Sequence, residues 1–135
     1  MKYKFLILFV VLLILTSCGK LSNPLISPNS NELKEIEISK IDKGKVVESK
    51  FYRDSKNIAE IIDCLSDSEP TTIKSINDFP DNDEVIQVDF VLDGDKSTFF
   101  VYKERKFLRD KYYVESPYQG VWEMDEDVYK KLQNF

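Results

Sequence analysis

The chain has 135 residues, with 19 basic and 24 acidic side chains, a net charge of −5 and no histidine. That acidic balance argues against a general nucleic-acid binder, which needs a basic face. Without histidine there is no Ser-His or Cys-His nucleophile system and no His-bearing metal site.

Lys2 and Lys4 form a short positive segment ahead of an unbroken apolar run, Phe5 to Leu15. Its eleven residues fit the hydrophobic region of a signal peptide and fall short of the roughly 20 that a bilayer-spanning helix needs. Leu15-Thr16-Ser17-Cys18 follows: an aliphatic residue, two small ones and a cysteine. This box resembles the lipobox of bacterial lipoproteins. The resemblance implies a leader over residues 1–17, a diacylglyceryl thioether on Cys18, and attachment to the extracytoplasmic face of the bacterial membrane. Two long acyl chains hold a protein on a bilayer where one does not, at about 0.8 kcal/mol per buried methylene. The mature chain then carries a net charge of −7, and Cys64 is its one other cysteine, so an intrachain disulfide is not expected.

Residues 18–31, the lipidated cysteine and a Pro-, Ser- and Asn-rich stretch, are expected to be a flexible tether. Residues 32–135 are expected to form a single domain. Leu33 to Ile41 and Val46 to Tyr52 alternate as two strands, joined across Asp42-Lys43-Gly44-Lys45, where Gly44 suits a short hairpin loop. Asp54 or Ser55 then caps a helix whose Ile58, Ala59, Ile61, Ile62 and Leu65 gather on one face, and which should end before Pro70. Residues 71–84 read as a polar connection. Glu84 to Leu92 and Lys96 to Lys103 flank Asp93-Gly94-Asp95, a tight-turn signal. A two-residue loop places Ile86, Val88, Phe90 and Leu92 on one face with Phe99 and Val101; a three-residue loop would pair that face with Phe100 and Tyr102 instead. Lys111 to Glu115 and Val121 to Met124 are further strands around the turn Pro117-Tyr118-Gln119-Gly120. Asp125 caps a last helix, acidic in its first turn and basic near its end, with Val128 and Leu132 facing inward. The expected architecture is α+β, a mainly antiparallel sheet of about five strands with two helices packed on one face.

The run Pro70-Thr71-Thr72 with Ser75-Ile76-Asn77-Asp78, then Phe100-Val101-Tyr102 and the stretch from Tyr112 to Met124, resembles a family of uncharacterised small lipoprotein domains of low-GC Gram-positive bacteria. The resemblance covers residues 33 to 135 and implies location and domain extent, with no activity attached. The chain departs from the family at 103–111, where the family makes a tighter turn.

Three features carry chemistry. Asp78, Asp81, Asp83 and Glu84 offer hard oxygen ligands within a short span, yet lack the glycine pivot of a calcium loop, and Pro80 stiffens their middle; a solvated turn is the plainer reading. Cys64, at the edge of an apolar helix face, reads as a structural thiol. Eight of the mature chain's fourteen aromatic residues fall between Phe99 and Trp122. Adjacent Tyr112 and Tyr113 must point to opposite sides of a strand, so one of them needs either cover or a partner. Tyr112, Tyr113, Tyr118 and Trp122 are candidate contact residues on that ground. Arg105, Lys106, Phe107 and Arg109 are the others: the loop from Lys103 to Lys111 carries a local net charge of +3 around Phe107-Leu108. Such a loop suits an anionic envelope surface, unless Phe107 and Leu108 fold back onto the sheet.

The sequence therefore leads us to expect a non-enzymatic binding module of accessory, inhibitor or immunity type, with no cofactor. Its expected partners are the membrane, through the Cys18 lipid, and another protein or an envelope component. The rival is a small carboxylate-dependent hydrolase acting on envelope glycan or peptide. Two carboxyl groups facing each other in an aromatic cleft would favour the hydrolase; an exposed apolar patch without such a pair would favour binding.

Overall fold

The computed structural model describes residues 21–135. The leader and Cys18 lie outside the described residues. Seven strands form one sheet: β1 (Glu35–Asp42), β2 (Lys45–Tyr52), β3 (Ser68–Pro70), β4 (Glu84–Val91), β5 (Lys96–Lys106), β6 (Arg109–Ser116) and β7 (Gly120–Met124). Their order is β2-β1-β4-β5-β6-β7-β3, and neighbouring strands run antiparallel throughout. Two short helices, α1 (Ser55–Ser66) and α2 (Glu126–Gln133), complete the domain.

The expected α+β class with about five strands is thus corrected to a mainly β fold built on one seven-stranded sheet. Six of the strands fall on segments read from the sequence; one segment adds the seventh, and another extends two of the six. Ser68–Pro70, read as the start of a polar connection, adds an edge strand against β7; Pro70, which lacks an N–H, ends it. Residues 103–111, read as a loop, are paired down to Lys106↔Arg109, which lengthens both β5 and β6. The chain reverses tightly there, at Phe107-Leu108.

One face of the sheet holds the larger core. Ile36, Ile38, Ile86, Val88, Phe90, Phe99, Val101, Val114, Trp122 and Met124 pack there under both helices. The register Val88↔Phe99 and Ile86↔Val101 is that of the two-residue loop, closed by Leu92 N–H donating to Asp95 O at 2.9 Å. Asp54 accepts from Asn57 N–H at 2.9 Å and starts α1, which buries Ile58, Ile61, Cys64 and Leu65. Asp125 occupies the N-cap position of α2 without making a side-chain capping bond; Tyr129 and Leu132 are buried, and Val128 is half-buried. Burying a residue such as Phe90 or Leu65 contributes about 1.5–3 kcal/mol.

The opposite face is covered over its β4–β7 half by the connection 71–83. Ile73 and Phe79 pack on Ile41, Val85, Phe100, Tyr102, Tyr113 and Val121, with the Phe79 and Phe100 rings edge-to-face at 4.9 Å. Thr71 begins this strap, its hydroxyl donating to Val121 O at 2.7 Å.

The stretch expected to be a free tether is docked from residue 22 onward. Ser22 N–H donates to Thr71 O at 2.8 Å, and Trp122 Nε1 donates to Asn23 O at 2.8 Å. Leu25 packs on the main core, and the chain then passes Ala59 and Ile62 of α1. Gly120 permits this approach, because a Cβ there would stand 2.6 Å from Ser22 Oγ.

Candidate functional site

The aromatic cluster is mostly core. Tyr113 and Trp122 are buried, and Tyr112 is half-buried with its ring 4.8 Å from that of Tyr129 in α2. Tyr113 lies on the other face, 5.8 Å from Tyr102. The opposite pointing of the two tyrosines is met by cover on both sides, helix on one and strap on the other. Tyr112, Tyr113 and Trp122 are therefore removed from the candidate contact surface, leaving Tyr118, which is 65% exposed.

The hairpin between β5 and β6 is buried near its base and exposed at its end. Phe107 is 100% and Leu108 91% exposed at its tip, so neither folds back onto the sheet. Phe107 takes a positive φ of 57°, unusual for an aromatic residue, to close the turn. Of the five cations around it, Lys103 reaches Asp110 at 4.0 Å, Lys106 reaches Glu104 at 3.3 Å, and Lys111 pairs with Glu123. Lys106 also stands over the Tyr113 ring, 5.2 Å from its centroid. Arg105 and Arg109 have no ion pair among the described residues. The tip thus presents two apolar side chains between two unpaired guanidinium groups, the type best suited to bidentate contact with carboxylate or phosphate.

Beneath the strap lies a cleft of about 400 Å³, lined in part by Tyr102, Glu104, Lys106 and Glu115. Glu115 is buried, and both of its oxygens are occupied. Ser75 Oγ donates to Oε1 at 2.6 Å and Tyr102 OH donates to Oε2 at 2.9 Å. Burial, followed by the adjacent Glu115 charge, pushes the Tyr102 phenol well above its ordinary range, so it stays a donor. Ser75 in turn accepts from Tyr118 N–H at 3.0 Å, joining the strap to the β6–β7 turn. Glu115 and Tyr102 escaped the sequence reading. Strand alternation puts Glu115 on the face of Tyr113, but its meeting with Tyr102 follows from the pairing Tyr102↔Tyr113.

A second buried carboxylate, Asp89 on β4, accepts from Thr98 at 2.6 Å and Gln87 at 2.8 Å, and pairs with Lys96 at 2.6 Å. Both buried carboxylates are thus held as acceptors within local networks, the arrangement of structural rather than proton-transferring groups. Of the calcium candidates, Asp78 accepts from Tyr118 OH at 2.8 Å, which raises the phenol's pKa, while Glu84 opens β4 and Asp83 offers its backbone carbonyl to Lys43. No three acidic or cysteine side chains converge on a metal-holding group among the described residues. Cys64 is buried in the core, and desolvation pushes its thiol pKa up.

These features define a small single-sheet domain with helices on one face and a strap on the other, with exposed apolar side chains at both ends of the sheet, along β2 (Val46, Val47 and Phe51) and at Ile26. The chain belongs to the DUF5301 family, described as a domain of unknown function (DUF5300), whose model matches residues 22–123. The match begins at Ser22, which bonds to Val121 of the sheet. An NMR structure of a protein from Ruminococcus gnavus is similar, at 29% identity with a TM-score of 0.61, covering 78% of this chain and 99% of that one. No curated protein matches the chain.

Proposed function

We propose that the protein is a lipid-anchored, extracytoplasmic lipoprotein of a Gram-positive bacterium, a non-catalytic module that binds an anionic protein or envelope component through the β5–β6 hairpin. The observation that carries this reading is the tip itself. Two consecutive apolar side chains are held 100% and 91% exposed on a paired hairpin, where no part of the domain covers them. Leaving that area in water is unfavourable; Arg105 and Arg109 beside it supply charge to draw a partner in, and Phe107 and Leu108 supply the apolar area to hold it. The leader and the box ending at Cys18 supply the location. The hydrolase alternative loses ground because Glu115, the buried carboxylate of the cleft, has both oxygens committed to hydroxyl donors.

The test uses the full chain in intact cells. A photo-crosslinking residue in place of Leu108 is expected to give a discrete adduct, and the same residue in place of Lys56, exposed on α1, is expected to give none. The adduct should disappear when Arg105 and Arg109 are both changed to Ser. Indistinguishable adduct patterns at the two positions would refute the reading. Cys18→Ala should leave the precursor unlipidated and change its processing; a mature, unlipidated parent chain that starts at another residue would remove the anchor from the proposal.

A further inference from the structure

The hairpin tip and the point where the chain enters the domain lie at opposite ends of the sheet. β6 runs from the tip at Arg109 to the β6–β7 turn beyond Ser116. Its eight residues set the two ends roughly 25 Å apart. Ser22 is fixed at the turn end. Besides the bond to Thr71, its hydroxyl donates to Val121 O at 3.4 Å and accepts from Val121 N–H at 3.3 Å. Gly120 leaves room for it, and Trp122 holds Asn23.

Three exposed apolar side chains from three separate segments meet at this same end. Leu21, Ile76 and Tyr118 are 59%, 70% and 65% exposed and line one shallow hollow of about 320 Å³. Exposed Lys74 stands at its rim. Cys18 precedes Ser22 by four residues, which can span at most about 14 Å when fully extended. A lipid on Cys18 is therefore within reach of the hollow and far from the tip.

We propose that the hollow of Leu21, Ile76 and Tyr118 seats on the interfacial layer of the bilayer that holds the Cys18 lipid, turning the hairpin tip away from that membrane. This rests on the lipoprotein reading above. Leu21 and Ile76 enter the boundary between headgroups and acyl chains. Tyr118 lies at headgroup level with its hydroxyl bonded to Asp78, the amphipathic placement that tyrosine favours at membrane surfaces. The Lys74 ammonium meets lipid phosphate. Such seating lets an acidic domain rest on its membrane by a local surface, without relying on net charge. It also assigns the basic hairpin a partner on the far side of the domain, so the hairpin does not bind the anchoring bilayer.

The full chain, purified from the membrane of an expressing bacterium and reconstituted in vesicles, supplies the test. Intact mass first shows whether Cys18 carries the diacylglyceryl group; an unmodified Cys18 overturns the lipoprotein reading and this proposal with it. Tryptophan emission from Ile76→Trp and Leu108→Trp is then compared in vesicles with and without brominated acyl chains. The parent chain, with its buried Trp122, sets the background. The expected result is a several-fold greater loss of emission at position 76 than at position 108. If the chain is lipidated and position 108 is quenched as strongly, the orientation is wrong. If the chain is lipidated and neither position is quenched, the hollow stays off the bilayer. Either result overturns the docking proposal and leaves the lipoprotein reading standing.

Discussion

Tyr102→Phe probes the network under the strap with the smallest change of shape. The substitution removes one hydroxyl and keeps the ring against Tyr113. It deletes the 2.9 Å bond to Glu115 Oε2 and leaves that buried carboxylate with Ser75 as its hydroxyl donor. Hydrogen bonds to charged groups contribute about 1.5–3 kcal/mol, and water entering the cleft can satisfy part of the vacated oxygen. A loss of about 2 kcal/mol at pH 7 is the expected outcome, read as a lower urea midpoint with an unchanged m-value. The difference should also depend on pH. The free phenol titrates near pH 10, whereas in the folded protein burial and Glu115 hold its pKa higher. Above about pH 10 the unfolded chain therefore binds fewer protons than the native one, and stability falls as pH rises. Tyr102's contribution is complete below that point and is progressively lost above it. Phe at this position has no proton to lose, so the gap between parent and variant should narrow from about pH 10 upward. A gap under about 0.5 kcal/mol at pH 7 would refute the network. So would a gap that stayed constant or widened between about pH 9 and pH 11.

Other outcomes follow from burial and pairing. Ile61→Ala should cost about 2–5 kcal/mol because Ile61 is fully buried, and half-buried Ile62→Ala should cost less; the reverse ranking in denaturant unfolding would show that α1 is misoriented. Lys96→Met leaves the buried Asp89 carboxylate without its cation and should cost about 2–3 kcal/mol. Lys34→Met, which breaks an exposed pair with Asp93, should change stability very little, and equal effects in the two variants would refute the distinction. Cys64 should resist maleimide at pH 8 in the folded protein and react once denatured, because burial both covers the thiol and raises its pKa. Rapid native labelling would show an open core.

What could be read from the chain alone was local in origin. The face of α1 is written in the spacing of Ile58, Ile61 and Leu65, and the β4–β5 hairpin in the turn Asp93-Gly94-Asp95 with the apolar alternation on each side; the choice between its two possible registers was made only in the fold. The opposite pointing of Tyr112 and Tyr113 is a property of any strand. Even so, the same rules misjudged extent. Ala59 has the right spacing for the buried face yet is exposed, while Cys64 takes a place in the core.

Pairing between distant segments was decided only in the folded chain. Ser68–Pro70 has no alternation of its own and is a strand because the edge of β7 offers partners to it. The strap 71–83 looked like a solvated connection because its anchors, Thr71, Ile73 and Phe79, are spaced without a period and find their places on a face to which five strands contribute. Glu115 was one acidic residue among 24 until strand pairing put Tyr102 beside it and the strap brought Ser75. Likewise the polar stretch after Cys18 became part of the domain through Gly120, whose missing side chain admits Ser22 from 98 residues away. Periodicity reports what a segment does with its own side chains. Which surfaces remain exposed depends on what the rest of the chain covers, and that is why Trp122 went to the core and Phe107 to the tip.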